Sequence, residues 1–305
     1  MRPGEIGIPE EHWSRLMKKK TEMTVLDSRM LAQDIWSLEL AYAPEDVPEE
    51  VRPGQFAGLY PPGGDLLLMR PISICRWDRE RGVLRFVYRA AGKGTRSFTS
   101  LRPGDHMDML GILGNGYDLD QLRGKRVLLL GGGIGVPPML ELAAALSEGR
   151  AQTAGEQTSQ KGGGDHSAAQ EAGEAPAGVT AVMGYRNHEL FLLEEMKKYA
   201  AVFAATEDGS AGTKGNVLDA VRENGIEADV ICACGPLPML RAVSRYASEK
   251  GIKAFLSLEG RMACGVGVCL GCVTKTKHVD EHSKVHNARV CVEGPVFPAD
   301  EVDLD

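Results

Sequence analysis

The chain has 305 residues, 43% of them hydrophobic and 25% charged, which suits two or three soluble domains, each with its own core. Its formal net charge of -7 works against nucleic acid and anionic membranes as partners, since both recruit basic surfaces. Seven cysteines behind the polar opening MRPGEIGIPEEHWSRLMKKK do not suit a secreted disulfide scaffold, so a cytoplasmic, reduced protein is expected.

Six short apolar runs occupy Glu22 to Leu110: EMTVLDSRML, IWSLELAY, GQFAGLY, RPISICRW, VLRFVYRA and DHMDMLG. Pro-Gly, Gly-Gly and charged turns separate them, a pattern that predicts a small antiparallel β-barrel over residues 22–120. Within it, MRPISI follows a glycine turn and VYRAAGKGTRSF follows a short hairpin. An arginine beside a strand can neutralise a pyrophosphate, a serine can hydrogen-bond a flavin, and a Gly-Thr pair offers an N–H and a hydroxyl to phosphate. Singly, each piece also fits an ordinary strand start.

Around Gly124 the texture becomes α/β. RVLLLGGG reads as a buried strand and PPMLELAAALSEG as the helix after it. The run Val127 to Leu146 has the length of a membrane span, but GGGIGVPP interrupts any continuous helix. Further strands are expected at VTAVMGYR, AVFAATED and DVICACGP, with helices at ELFLLEEMKKYA, GNVLDAVRENG and PLPMLRAVSRYASEKG. This succession predicts a doubly wound parallel sheet over residues 121–258. The polar, Gly/Ala/Gln-rich stretch at residues 150–178 is expected to be a disordered surface insertion.

GGGIGV departs from the dinucleotide fingerprint, because Val136 stands where glycine or alanine belongs. Even so, Gly132, Gly133 and Gly135 open a helix with Pro137 and Pro138 in its first turn, so they can present amides to a pyrophosphate; the alternative is plain strand–helix packing. No acidic residue closes the second strand to hold a ribose hydroxyl. Arg186 stands there instead, which suits a 2'-phosphate or bulk solvent.

The final segment, residues 259–305, holds Cys264, Cys269 and Cys272 in C-x4-C-x2-C spacing, with eighteen residues before Cys291. Plant-type [2Fe-2S] centres use this triplet, because a small loop can wrap the cluster and aim thiolates and amides inward. Gly265, Gly267 and Gly271 permit such curvature. Four thiols also satisfy structural zinc, although zinc ribbons favour paired C-x2-C knuckles. His278, His282 and His286 recur at four-residue intervals, yet their surroundings are so charged that a solvated segment is the simpler reading. Rieske ligation requires Cys-x-His pairs, and there are none. Cys75 and Cys232 fall in predicted strands and read as packing residues, with Cys234 a partial exception.

RPIS at 70–73, the YR and GT elements at 88–95, GGGIGVPPM, CGPLPML, RMACGVGVCLGC and RVCVEGPVF together resemble the electron-transfer subunits of NAD-dependent dihydroorotate dehydrogenases. The resemblance spans about residues 22 to 298. Its barrel and nucleotide domain are shared with the wider ferredoxin-reductase superfamily, whereas the cysteine segment followed by GPVF is specific. It implies FAD binding by Arg70, Pro71, Ile72, Ser73, Val87, Tyr88, Arg89, Gly94 and Thr95, and [2Fe-2S] ligation by Cys264, Cys269, Cys272 and Cys291. It also implies that Cys234 and Gly235 lie near a nicotinamide, that Thr206 to Gly215 lines the same side, and that the cofactor is NAD. Such subunits pair with an FMN-containing catalytic subunit, two of each in a heterotetramer. Electrons there run from FMN through the cluster and FAD to NAD+ as dihydroorotate becomes orotate in pyrimidine biosynthesis. The acid/base chemistry belongs to the partner, which is expected to dock around Val266 and Val268. The competing readings are an NAD(P)H:ferredoxin-type oxidoreductase subunit with another partner, such as a sulfide dehydrogenase, and a zinc-bearing regulatory protein. The N-terminal twenty residues and the 150–178 insertion exceed the family pattern.

Overall fold

In the N-terminal half, alternating apolar residues build the barrel strands of a computed structural model that describes residues 18–158, 178–279 and 284–304. β1 (Lys20–Ala32), β2 (Ile35–Ala41), β3 (Phe56–Leu59), β4 (Arg70–Asp78), β5 (Val83–Arg89) and β6 (His106–Leu113) close in the order β1-β2-β5-β4-β3-β6. Every neighbouring pair is antiparallel. On β5 the period of two sorts the side chains: Leu84, Phe86 and Tyr88 fill the barrel, while Val87 joins the core shared with the second domain. A single turn of helix, α1 (Lys93–Ser97), follows.

β7 (Val127–Gly132) leads through the 3-10 turn Gly133–Gly135 into α2 (Val136–Thr158), so the apolar run is strand, turn and helix. Among the described residues no helix is long and apolar enough to cross a membrane. Then come β8 (Val179–Tyr185), α3 (Leu193–Met196), β9 (Ala201–Thr206), β10 (Thr213–Lys214), α4 (Val217–Glu223), β11 (Val230–Cys234), α5 (Leu237–Lys250) and β12 (Lys253–Ser257). After them, β13 (Val273–Lys275) and β14 (Asn287–Arg289) form a hairpin, and β15 (Val296–Pro298) completes a seven-stranded sheet ordered β10-β9-β8-β7-β11-β12-β15. All its pairs are parallel except β12 with β15. The chain order reverses between β7 and β11, the switch point at which open α/β sheets bind ligands.

Two expectations are corrected, and one strand is new. α2 runs to Thr158, into the stretch read as disordered, because Ala, Arg, Gln and Glu are good helix formers; residues 159–177 lie outside the described residues. The helix expected over 189–200 shrinks to α3, because Leu192 takes a left-handed φ of 64°. β15 was not foreseen at all. His278 and His286 are exposed beside the β13–β14 hairpin, and His282 lies outside the described residues.

Asn115, on the link between barrel and sheet, fastens the C-terminal segment. Its amide donates to the Gly294 carbonyl at 2.7 Å, and its Nδ2 donates to the carbonyls of Glu293 and Val296 at 2.8 Å each. Its Oδ1 accepts from the Val296 amide at 3.2 Å.

Barrel and sheet also meet along β4 and α2. Glu141 accepts the Trp77 amide at 3.0 Å and faces Arg76 at 3.3 Å, while Arg85 grips Glu195 with contacts of 2.5 and 3.1 Å. Burial pushes the Glu141 carboxyl up to about 7, with Arg76 and the Trp77 amide acting against it. The folded state therefore keeps a proton that the unfolded chain releases near 4.5. Stability from this group is full below that pH and is lost as pH rises toward about 7. The loss is of order 3 kcal/mol. Glu141→Gln, which keeps an acceptor for Trp77, is expected to flatten this fall. Urea unfolding at several pH values through the window checks it.

Candidate functional site

At the switch point, β7 and β11 run side by side with Gly131 opposite Cys234. Their following turns touch: a Cβ at Gly135 would lie 2.2 Å from the Cys234 carbonyl oxygen, so only glycine lets the two turns close. Above them opens a cavity of about 590 Å³ whose wall includes Gly132, Gly133, Arg89, Arg186, Glu207 and Glu259. A second cleft, about 640 Å³, lies over the Arg76–Glu141 contact and holds none of the residues singled out in the sequence.

Of the proposed nucleotide ligands, Gly132 and Gly133 line the cavity, whereas Gly135 serves the packing beneath it. Cys234 is buried. Burial, with Glu259 adding to it and a hydrogen bond with Ser257 opposing it, pushes its thiol up to about 12, so it stays neutral at physiological pH. Arg89 reaches the wall opposite Gly133, and its buried Nε has no partner among the described residues. Burial raises the Glu259 carboxyl and Arg89 counters it. Glu207 comes from the strand beside β8, with its amide on the Tyr185 carbonyl at 3.1 Å, and so brings a carboxylate to the end where Arg186 stands. Glu207 falls in the stretch Thr206 to Gly215, but Glu259 was not singled out by the sequence reading.

The barrel residues divide. The Arg70 guanidinium spreads over Gly94, where a Cβ would lie 2.2 Å from Nε, and Nη1 donates to the Leu68 carbonyl at 2.6 Å. Pro71, Ile72 and Ser73 continue β4 against β3. Val87 and Tyr88 are core residues, and the buried Tyr88 hydroxyl has no partner among the described residues. Thr95 Oγ1 accepts the amides of Ala91 and Gly92 at 3.1 and 3.2 Å, which holds the loop. Two guanidinia, one over a Cβ-free cradle and one with an unspent buried donor, fit an anionic dinucleotide.

The four thiols stand as two pairs, Cys264 with Cys269 and Cys272 with Cys291. Among the described residues no three His, Cys, Asp or Glu side chains gather round one point. Two pairs suit a centre with two irons. Amides already point inward: those of Val266 and Cys269 lie 3.5 and 3.4 Å from Cys264 Sγ, and that of Gly271 lies 3.4 Å from Cys269 Sγ. Burial opposes ionisation of Cys264, yet the Cys269 and Val266 amides, the Cys269 thiol and the Val268 amide bring it down to about 6. Burial and the neighbouring Cys272 push Cys291 up to about 12. The loop lies on the barrel, with a Cβ at Gly265 falling 2.3 Å from Met69 Cε.

A barrel joined to a parallel nucleotide sheet, followed by a cysteine loop, defines a reductase of the ferredoxin-reductase fold with an appended iron–sulfur segment. Residues 259–303 match the iron-sulfur cluster binding domain of dihydroorotate dehydrogenase B. The dihydroorotate dehydrogenase B (NAD(+)) electron transfer subunit of Listeria monocytogenes serotype 4a is 41% identical over 287 residues, 93% of this chain and 99% of its own. The Geobacillus sp. (strain WCH70) subunit of the same name is 39% identical over 291 residues, 94% and 100% of the two chains. Among solved structures, the NADH-dependent reduced ferredoxin-NADP oxidoreductase studied for flavin-based electron bifurcation superposes with a TM-score of 0.71 at 27% identity, covering 93% of this chain and 90% of its own. This chain belongs to the family of dihydroorotate dehydrogenase B electron transfer subunits.

Proposed function

We propose that the chain carries electrons from the FMN of a dihydroorotate dehydrogenase catalytic subunit, through a [2Fe-2S] cluster and FAD, to NAD+ in the cytoplasm, within pyrimidine biosynthesis. The observation that carries this reading is the pair of thiol pairs, lined with amides and resting on the barrel at Met69, in a chain 41% identical to a full-length relative of that name. The ferredoxin-oxidoreductase alternative has the weaker likeness, at 27% identity.

The division of labour follows the chain: residues 22–120 for FAD, 121–258 for NAD and 259–305 for the cluster. Bound flavin supplies the exchange between single electrons and a hydride, which neither a cluster nor nicotinamide manages alone. Arg70, over Gly94, neutralises the FAD pyrophosphate, and Arg89 directs its free Nε at the cofactor from the cavity wall. Pro71, Ile72, Ser73, Val87 and Tyr88 shape that cleft through the barrel wall. Gly132 and Gly133 offer the helix start to the NAD pyrophosphate, and Gly135 lets its turn close on that of Cys234 and Gly235, beside which the nicotinamide would lie. Glu207 favours ribose hydroxyls over a 2'-phosphate at the Arg186 end. Cys264 and Cys269 hold one iron, and Cys272 and Cys291 the other.

Val266, Val268 and Leu270 project from the cysteine loop, and Leu67 and Leu68 are exposed on the barrel segment next to Met69. This apolar rim surrounds the cluster loop and is where the catalytic subunit docks, in an assembly of two subunits of each kind. Anaerobic purification is expected to yield flavin, iron and acid-labile sulfide, and dihydroorotate-dependent NAD+ reduction only when the FMN subunit is added. Colourless protein with stoichiometric zinc would refute the reading. Val268→Glu, at a side chain 79% exposed, is expected to weaken assembly at least tenfold by gel filtration while leaving flavin and iron content intact.

A further inference from the structure

Gly267 lies midway along the loop between Cys264 and Cys269, and Arg289, at the end of β14, and Val292, in the turn that holds Cys291, flank it. Its carbonyl accepts from Arg289 Nη1 at 3.1 Å, and its amide is turned toward the Cys291 sulfur. Its φ is +82°, and a Cβ there would lie 2.7 Å from Val292 Cγ2 and 3.1 Å from Arg289 Nη1. Nε, Nη2 and the backbone amide of Arg289 all reach one carboxylate. Nε reaches the two Glu293 oxygens at 3.0 and 3.1 Å, Nη2 bonds Glu293 Oε1, and the Arg289 amide donates to Glu293 Oε2 at 2.7 Å. The guanidinium is close enough to act electrostatically on Cys291 and Cys272.

Resting on the electron-transfer reading above, we infer that Arg289 and Glu293 are positioning residues that tune the cluster: Arg289 ties the two cysteine pairs together and favours electron uptake, while Glu293 restrains it. A cluster held by the four thiolates would gain one negative charge with each electron it takes up. A cation beside Cys272 and Cys291 favours that uptake, and an anion opposes it. Both side chains are partly exposed, 39% and 38%, so solvent weakens each effect without changing its sign.

The two substitutions break the same ion pair yet carry opposite electrostatic signs, which separates tuning from mere support. EPR-monitored redox titration of the intact flavin- and iron-loaded chain is the test, with iron and sulfide measured on every sample. Arg289→Gln is expected to lower the midpoint potential and Glu293→Gln to raise it, each by a few-fold change in the electron's partition; tenfold is ~59 mV for one electron. Arg289→Lys, which keeps charge without the fork, is expected to stay nearer the parent potential but to lose iron faster to a chelator. Shifts of the same sign, or none, overturn the inference. If Arg289→Gln does not retain iron, Glu293→Gln decides alone: a rise sustains the inference, and no change or a fall defeats it. Iron and sulfide in the unsubstituted chain report separately on the electron-transfer reading.

Discussion

Cys291→Ser is expected to abolish dihydroorotate-dependent NAD+ reduction by the assembled complex while sparing the reaction of NADH with a soluble dye. Cys291 is buried and pairs with Cys272, so on the proposed ligation losing its sulfur would leave one iron with a single protein thiolate. Serine is a poorer, harder ligand at this soft site. The fall should exceed the ~10–100-fold typical when only an outer-shell partner is removed. The flavin path is different. Arg70 and Gly94 lie on the barrel, and the cavity proposed for NAD is walled by Gly132, Gly133 and Arg89, so on that reading hydride exchange between NADH and FAD needs no thiolate. Ferricyanide reduction by NADH should therefore stay within about twofold, in contrast to the loss that removal of a transition-state contact causes. Unchanged dihydroorotate turnover in a variant lacking labile sulfide would overturn the proposed path.

Gly135→Ala has the second largest expected effect. The added methyl would lie 2.2 Å from the Cys234 carbonyl oxygen and 2.6 Å from the Gly235 nitrogen, both backbone atoms in a central strand and its turn. Backbone cannot rotate aside as a side chain can, so β7 and β11 must part at the switch point. Overpacking of this kind costs about 1–3 kcal/mol or more. NAD(H) affinity is expected to fall at least tenfold, about 1.4 kcal/mol, with flavin content preserved. The same substitution at Gly149, in α2, where no described atom lies within 4 Å of the added methyl, is the control: helix propensity favours alanine there by about 1 kcal/mol. Calorimetry of NADH binding and thermal unfolding of both variants distinguish the outcomes.

Local signals made much of this architecture legible. The alternation through Leu84, Phe86 and Tyr88 announced a barrel strand, because every second side chain must enter one core. The Gly131–Gly135 run announced a strand-to-helix turn, and the cysteine spacing announced a wrapped cluster. What stayed hidden depends on tertiary contacts. β15 has only three residues and ends in Pro298, which weakens any strand signal, and it exists because β12 offers an edge to pair with. The expected helix around Leu192 failed because that residue takes a left-handed turn, while the Tyr185 hydroxyl holds the Phe191 carbonyl at 3.0 Å. Glu207 and Glu259 are far apart in sequence and share one cavity only because the sheet's strand order brings their loops to the same edge.

β15 and the Asn115 clasp bear on how far an electron must jump. The thiol-bearing excursion leaves the sheet at β12 and returns to that same strand's edge, so both its feet stand on one rigid floor. A tether at one end alone would let the metal centre wander, and tunnelling slows exponentially with each added ångström. Anchored at both ends, the segment follows the sheet: severing either foot is expected to slow electron delivery before it unfolds the chain.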